Sequence, residues 1–120
     1  MSESILREIS KSFAKKIIIF CRKLKQSGVE IALTSQLLRC GTSIGANIFE
    51  AQYAQGIRDF ISKLEISLKE CNECGYWLEL LHDTNSINDE DFNNFQKECI
   101  SIRRMLVSSV TTIKQKNNIE

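Results

Sequence analysis

The sequence predicts an all-α protein, a single antiparallel four-helix bundle with short connections in up-down-up-down order. Two observations favour this fold. The 120 residues include no proline and only five glycines, whereas a β-rich domain of this size usually places both residues in its many turns. Apolar residues also recur every three or four positions through four long stretches, which is the spacing of one face of an α-helix. Such faces must be covered by other helices, so the four stretches are expected to share one core.

The first helix is predicted from about residue 3 to residue 27, with Ser2 as its N-cap and Gly28 as its left-handed C-terminal stop. Its buried stripe is expected to comprise Ile5, Ile9, Phe13, Ile17, Phe20 and Leu24. A row of basic side chains lies about 200° away around the helix, given 3.6 residues per turn. These are Arg7, Lys11, Lys15, Arg22 and Lys25.

The second helix is predicted from about residue 35 to residue 53, with Thr34 or Ser35 as its N-cap. Its apolar face is formed by Leu37, Cys40, Ile44, Ile48 and Ala51. Gly41 and Gly45 lie inside this helix, where each costs up to about 1 kcal/mol relative to alanine. Close approach of another backbone, within the bundle or across a subunit interface, would compensate for that cost.

The third helix is predicted from about residue 58 to residue 83. Its inner face is expected to comprise Phe60, Leu64, Ser67 or Leu68, Cys71, Leu78 and Leu81. Tyr76 and Trp77 are adjacent and therefore point in different directions. One of them is expected in the core, and the other as an exposed aromatic anchor for a partner.

The fourth helix is predicted from about residue 89 to residue 115, after Asn88 as the N-cap. Three acidic residues follow the cap, where they favour the positive end of the helix dipole. The inward residues are Phe92, Phe95, Cys99, Ile102, Leu106 and Ile113. Together the four helices account for one domain over residues 1–120, the size expected of a single core.

The charge is nearly balanced, with sixteen basic and fifteen acidic side chains and a net charge of +1. A strong nucleic-acid binder usually shows a larger basic excess. The basic residues nevertheless concentrate at the two ends of the chain, and the acidic residues concentrate in its middle. No apolar run approaches the roughly 20 residues that span a bilayer. The charged N-terminus is unlike a signal peptide, so a cytoplasmic protein with no membrane contact and with reduced cysteines is expected.

Cys71 and Cys74 form a CxxC pair on the third helix. A zinc site needs four ligands, and no second pair or set of histidines is present to complete it. Core packing, in which cysteine behaves as a small hydrophobe, is therefore favoured for Cys40, Cys71 and Cys99. Metal or redox chemistry at the CxxC pair remains the alternative.

The acidic residues Glu50, Glu65, Glu70 and Glu73 would suit a di-iron bundle only with Glu-x-x-His pairs on two helices. The chain has one histidine, His82, at the end of the third helix, where the dipole favours it without any catalytic role. Neither a nucleophile and base nor a metal-ligand set can be assembled from these residues. The sequence therefore predicts no catalytic residue, no metal and no cofactor.

A polar stripe on the second helix consists of Arg39, Ser43, Asn47 and Glu50, at spacings of four, four and three. It is interpreted either as a ligand or subunit contact or as a set of hydrogen bonds that fix the helix register. The second interpretation is favoured, because polar groups beside a core are normally paired for structural reasons.

The basic stripe of the first helix is interpreted as a solvated face or as a surface for a phosphate backbone, and charge runs are usually solvated. Basic residues of the fourth helix would extend it if the first and fourth helices are neighbours. These residues are Arg103, Arg104, Lys114 and Lys116.

Residues 39–50, RCGTSIGANIFE, resemble the signature of the four-helix bundle proteins encoded in intervening sequences of bacterial 23S rRNA genes. The shared pattern is an Arg, small residues, and then Ser-Ile-x-Ala-Asn-Ile-x-Glu. Further matches are Asp59-Phe60, residues 67–73 and residues 76–81. The resemblance covers about residues 33–83, and the outer helices match by pattern. The same family resembles the accessory variability determinant of diversity-generating retroelements, a reverse-transcriptase partner that binds nucleic acid.

This resemblance implies a closed antiparallel four-helix bundle, a homopentamer around a central pore and association with ribosomal RNA, without enzymatic activity. It implies a structural or interface role for Arg39, Ser43, Asn47 and Glu50. The alternative function is a protein-interaction module that serves a reverse transcriptase. Phe49 stands where the family usually has a small residue, and Ala51-Gln52 where a glycine is frequent, so the turn into the third helix is expected to differ.

Overall fold

A computed structural model describes residues 2–120, with side chains from residue 5 onward, and it contains four long helices and no strand in that range. The helices are α1 (Ser2–Gln26), α2 (Ile31–Ala51), α3 (Ile57–Asp83) and α4 (Asp89–Lys116). They pack into a rod of 49 × 22 × 22 Å. The all-α four-helix prediction is confirmed.

Each helix packs against the next one in the chain, and α1 also meets α4, so the four enclose one core. In every successive pair, residues early in one helix contact residues late in the next. Between α1 and α2, the contacts are Arg7 with Gln52 and Cys21 with Thr34. Between α2 and α3, they are Arg39 with Glu70 and Glu50 with Lys63. Between α3 and α4, they are Glu65 with Lys114 and Cys71 with Cys99. Successive helices are therefore antiparallel. The seam between α1 and α4 is the smallest of the four helix contacts, and Phe13 and Phe20 meet Phe95 there.

The inner face of α1 follows a strict heptad that differs from the predicted stripe at its beginning. Ile5 was expected inside, but its side chain is 48% exposed, whereas Leu6 is 1% exposed. Counting back seven residues from Phe13 gives Leu6, while the predicted step from Ile9 to Ile5 follows the edge of the face. The buried positions at alternating spacings of four and three are Leu6, Ser10, Phe13, Ile17, Phe20 and Leu24.

The predicted start of the second helix is wrong by four residues, because α2 begins at Ile31. Neither Thr34 nor Ser35 caps it. The N-cap is Glu30, which makes no side-chain capping bond. Thr34 is fully buried, and its hydroxyl donates to the Glu30 carbonyl at 3.0 Å. This residue points into the core one turn inside the helix, so its hydroxyl satisfies a backbone acceptor there.

The glycines of α2 allow α1 to approach closely. A Cβ on Gly41 would lie 2.9 Å from Cγ2 of Ile17, and one on Gly45 would lie 3.4 Å from the carbonyl oxygen of Ser10. The compensation expected for these glycines is therefore found inside the bundle. The five predicted apolar residues of α2 are all buried.

The predicted ends of α3 and α4 agree with the structure to within one residue, and the cap of α4 is confirmed. The Asn88 side chain accepts a hydrogen bond of 2.7 Å from the Asp91 backbone N–H. The α1–α2 turn passes through Gly28 at φ 82°, a left-handed conformation that glycine adopts without strain. Ser2 lies inside α1 rather than before it, and its proposed capping side chain is outside the described residues.

The inner faces of α3 and α4 depart from the predictions at their edges. Phe60, Phe92 and Ile113 are only partly buried, while Ile61 and Val110 are buried in the core.

The choice between serine and leucine on α3 is decided for serine. Ser67 is fully buried, and its hydroxyl donates to the Ile44 carbonyl at 2.8 Å. Leu68 packs against the edge of the core. Of the two adjacent aromatics, Trp77 packs on the core and Tyr76 is exposed.

Candidate nucleic-acid interface

The basic stripe of α1 forms an exposed face along most of the helix. Its five side chains, Arg7, Lys11, Lys15, Arg22 and Lys25, are all exposed. The first three line one shallow groove with Glu8 and Ser12. The other two line a second groove against Leu38 and Thr42 of α2. At 1.5 Å per residue the stripe spans about 27 Å.

Among residues 5–120, no carboxylate forms an ion pair with a cation of this stripe, although Glu8 lines the same groove. Arg7 donates to Oε1 of Gln52 at 3.0 Å and stacks over the Phe49 ring at 5.5 Å. Across residues 5–120, none of the five forms an ion pair with an acidic side chain. Lys16, by contrast, lies on the α4 side and pairs with Glu98 at 3.1 Å. An anion approaching the stripe therefore need not displace an existing ion pair.

The basic residues of α4 line other grooves or pair with α3, although α1 and α4 are neighbours as expected. Arg103 lines the groove between α3 and α4. Arg104 lines a separate groove with Lys116, and Lys114 pairs with Glu65 of α3 at 3.0 Å. Lys16, which faces α4, is about 100° around the helix from Lys15. The described lining of the two grooves along α1 thus includes the five stripe residues and neither Arg103 nor Arg104.

The polar stripe of α2 faces α3 and joins the two helices at both ends. Arg39 donates to Glu70 at 3.1 Å and also pairs with Glu73. At the other end, Glu50 meets Lys63 at 3.6 Å. Between these pairs, the Asn47 amide donates to the Ser43 carbonyl at 2.9 Å. Arg39 and Glu50 therefore make exposed ion pairs with α3, whereas the Asn47–Ser43 hydrogen bond lies within α2. The interpretation that the stripe fixes helix register stays a prediction.

The Arg39 link continues into an aromatic pair on α3. The indole N–H of Trp77 donates to Glu73 at 3.1 Å, and the Tyr76 ring packs edge-on against the Trp77 ring at 5.1 Å. Hydrogen bonds from Trp77 and Arg39 lower the pKa of the Glu73 carboxyl. The hydrogen bond with Glu73 raises the pKa of the Arg39 guanidinium. Glu73 therefore stays ionised, and the network keeps its charges, at a lower pH than an isolated glutamate would.

A family model described as 23S rRNA-intervening sequence protein matches residues 3–108. This chain belongs to that family. The match includes all of α2 and α3, and with them the signature residues 39–50 on which the resemblance rests.

A solved structure of the same kind supports the family assignment. It is described as a protein with unknown function from the S23 ribosomal protein family from Bacteroides thetaiotaomicron. The two sequences are 40% identical, with a TM-score of 0.90, over 92% of this chain and 99% of that one. Among curated proteins, none matches.

An exposed aromatic cluster at the end of α2 was not identified as a site from the sequence of this intervening-sequence protein. Phe49 and Tyr53 are 48% and 73% exposed, with ring centroids 5.4 Å apart. Ile57, at the start of α3, is also exposed. The sequence does contain an indication of this cluster. Phe49 replaces a small residue of the family pattern, and Tyr53 follows four residues later, on the same face of a helix.

The cysteines of this family member are buried, and its histidine lies between two helices. All five cysteines are free and buried, including Cys21 and Cys74, which had not been expected on inner faces. His82 lies 2.7 Å from Asp89 and stacks on Phe92 at 4.2 Å, which ties the end of α3 to the start of α4. Among the side chains that the structure describes, residues 5–120, no three of His, Cys, Asp or Glu are arranged to hold a metal ion. No helix in that range has an apolar stretch long enough to cross a membrane.

Proposed function

We propose that this intervening-sequence protein is a non-enzymatic, cytoplasmic RNA-associated protein that contacts phosphates through the basic face of α1. The observation that carries the proposal is the row of exposed cations Arg7, Lys11, Lys15, Arg22 and Lys25, free of carboxylate partners among the described residues. Its family, whose description names 23S rRNA, supports the choice of ribosomal RNA as the partner.

The arrangement favours recognition of the backbone rather than of individual bases. Lysine and arginine side chains that neutralise phosphates release condensed counterions, which makes binding strongly dependent on salt. The Phe49 ring lies beside the stripe, but the Arg7 guanidinium stacks on it. That face of the ring is therefore not available to stack on a base. Recognition of RNA by shape and phosphate contacts is the mode that such a face supports.

The assembly we propose is the homopentamer that the family resemblance implies. A net charge of +1 per chain gives little long-range attraction, but several copies would repeat the basic face and add avidity. Exposed apolar side chains supply a surface for contacts between copies. Phe49, Tyr53 and Ile57, at the end of α2 and the start of α3, are such residues, and aromatic side chains are enriched at protein interfaces.

The test compares two triple charge reversals. Lys11→Glu, Lys15→Glu and Arg22→Glu remove the stripe, and the matched control Arg58→Glu, Lys69→Glu and Lys97→Glu makes the same change in net charge at exposed positions elsewhere. Binding to a 23S rRNA intervening-sequence fragment and to an unrelated RNA is measured from low to high salt.

We expect the stripe variant to lose at least about tenfold in affinity and the slope of log K against log salt to fall by about three, roughly one for each lost contact. The control variant should keep a slope close to that of the parent. Equal binding by the two variants would show that the α1 face does not contact RNA.

A second candidate function is a protein-interaction subunit, for example a partner of a reverse transcriptase. The observation that favours it is the exposed Phe49 and Tyr53 pair with Arg7 over it, because aromatic residues and arginine are enriched at protein interfaces. Native mass spectrometry of protein purified without nuclease or high salt separates the candidates. A pentamer with bound RNA supports the first, and a bare assembly without salt-sensitive RNA binding supports the second.

A further inference from the structure

Two cysteines on neighbouring helices face each other across the groove between α3 and α4. The Sγ atoms of Cys71 and Cys99 are 3.6 Å apart. Each thiol also lies against the opposite backbone, with Cys71 Sγ 3.2 Å from the Cys99 carbonyl oxygen and Cys99 Sγ 3.4 Å from the Cys71 carbonyl oxygen. The two side chains are therefore directed at each other by the packing of the helices.

The pair belongs to a larger group of thiols in the core. Cys40 of α2 and Cys74 of α3 are also buried in this core, so thiols from α2, α3 and α4 lie in it. Hydrogen bonds from Cys71 and Cys74 lower the pKa of the Cys99 thiol, and the charge of Arg103 adds to this effect against desolvation. A hydrogen bond with Cys99 raises the pKa of the Cys71 thiol, and hydrogen bonds with Cys40 and then Cys99 raise the pKa of the Cys74 thiol. The positive charge of Arg103, which lines the groove beside the pair, favours a thiolate on either sulfur of the pair.

The groove leads from solvent to this pair. Cys71 and Cys99 are 2% and 3% exposed and lie on its floor, and Gly75, Gln96 and Arg103 are among the residues that line it. Gly75 has no side chain to cover the thiols at this point. A small oxidant such as hydrogen peroxide can therefore reach the two sulfurs along this groove.

We propose that Cys71 and Cys99 are an oxidisable pair that forms a reversible disulfide between α3 and α4 when the protein meets hydrogen peroxide. The Cys99 thiolate attacks one peroxide oxygen, the O–O bond breaks, and the hydroxide released takes a proton to leave as water. The Cys71 thiolate then attacks the sulfur of the Cys99 sulfenic acid and forms the S–S bond. The proton given up by Cys71 leaves with the displaced hydroxide as a second water. Two thiols lose two hydrogens in total, and the peroxide is reduced to two waters.

The step needs little movement, since the two sulfurs must close from 3.6 Å to the roughly 2.05 Å of a disulfide. The bond closes a loop over residues 71–99 and locks the α3–α4 hairpin. This site lies apart from the basic face of α1, so its oxidation is independent of the proposed RNA contact.

The test treats the reduced full-length protein with graded hydrogen peroxide, removes the peroxide with catalase, unfolds the protein and alkylates its free thiols. Mass spectrometry should show three alkyl groups instead of the five that the reduced chain accepts, with the mass of two hydrogens lost. Trypsin separates residues 98–103 from residues 70–97, and cleavage after Glu73 separates Cys71 from Cys74. The link should join Cys71 to Cys99, and dithiothreitol should restore all five thiols.

Matched variants sharpen the assignment. Cys71→Ala should prevent the cross-link, whereas Cys21→Ala, at a buried cysteine outside the group, should leave it unchanged. The proposal would be overturned by full alkylation after peroxide treatment, by a link through Cys74, or by oxidation to sulfinic acid without a disulfide. The mapping on the parent chain decides among these outcomes even if a variant folds poorly.

Discussion

Replacing Gly41 by alanine tests the close approach of α1 and α2. A Cβ at this position would lie 2.9 Å from Cγ2, 3.1 Å from Cγ1 and 3.3 Å from Cβ of Ile17. The Ile17 side chain is 0% exposed. It is also β-branched, so it has one strongly preferred rotamer in a helix, and a close-packed core leaves it no room to move. The new methyl group can therefore be accommodated only if the helices separate or Ile17 leaves its rotamer.

Two opposing terms set the size of the effect. Alanine is better than glycine inside a helix by about 1 kcal/mol, and an extra methyl group in a packed core costs about 1–3 kcal/mol. Three atoms of Ile17, including its branch point, are crowded at once, which places the cost toward the upper end. We expect Gly41→Ala to lower the free energy of unfolding by about 1–2 kcal/mol, or the melting temperature by roughly 4–8 °C for a chain of this size.

Gly75→Ala is the matched control. Its Cβ would meet only Oε1 of Gln96, at 3.5 Å, an ordinary contact, so the gain in helix propensity should raise stability by about 0.5–1 kcal/mol. Both variants are compared with the parent by urea unfolding followed by circular dichroism, at one protein concentration because subunit association also stabilises the fold.

A double-mutant cycle with Ile17 identifies the origin of the effect. Ile17→Ala should cost about 2–5 kcal/mol in the parent, and clearly less in the Gly41→Ala background, where the new methyl fills part of the cavity. If Gly41→Ala is as stable as the parent, or if the two substitutions are additive, the glycine is not required by its contact with Ile17.

Two further substitutions test the contacts between α2 and α3. Because hydrogen bonds lower the pKa of the Glu73 carboxyl, its stabilising effect is complete above the ordinary value of 4.5 and is lost as pH falls through the lower folded-state pKa. Glu73→Gln should therefore make the free energy of unfolding fall less steeply as pH drops below that value. It should also change the fluorescence of Trp77. If the free energy of unfolding depends on acid pH as it does in the parent, the contact of Glu73 with Arg39 and Trp77 does not stabilise the fold. Ser67→Ala removes a buried hydrogen bond of 2.8 Å and should lower the free energy of unfolding by about 1 kcal/mol. The control is Ser62→Ala at an exposed position, and both variants are measured by urea unfolding. Equal stability of the two variants would contradict a role for the buried hydroxyl.

The helices could be predicted from the sequence because their apolar period is strong, and the inner face of α2 is correct at every residue named. The errors arise where polar side chains lie in the core. Ser10 occupies a heptad position of α1 and fits there because Gly45 faces it. Thr34 suggests a cap, but it is buried one turn inside the helix and its hydroxyl donates to the carbonyl of the N-cap residue Glu30. Both depend on what the neighbouring helix or turn offers, which a single helical pattern does not contain.

The same limit applies to the candidate sites. The exposure of the α1 stripe follows from its position opposite the core, so the sequence alone predicts it. Which residues of α3 pair with Arg39 depends on the register between α2 and α3. The contact of Cys71 with Cys99 likewise depends on the register between α3 and α4. Register is set by side-chain interdigitation across the whole interface, and no local motif encodes it.

The small seam between α1 and α4 has a consequence for how the chain is held together. The other three interfaces are hairpins between consecutive helices, joined by residues 27–30, 52–56 and 84–88, whereas this seam closes a loop that contains both α2 and α3. Forming this seam therefore costs the largest loss of chain entropy, although it has the smallest contact of the four interfaces. Parting the bundle here separates Phe13 and Phe20 from Phe95 and leaves three hairpins intact. Opening of the bundle is therefore expected to begin at this seam, where these aromatic rings are the first part of the core to meet water.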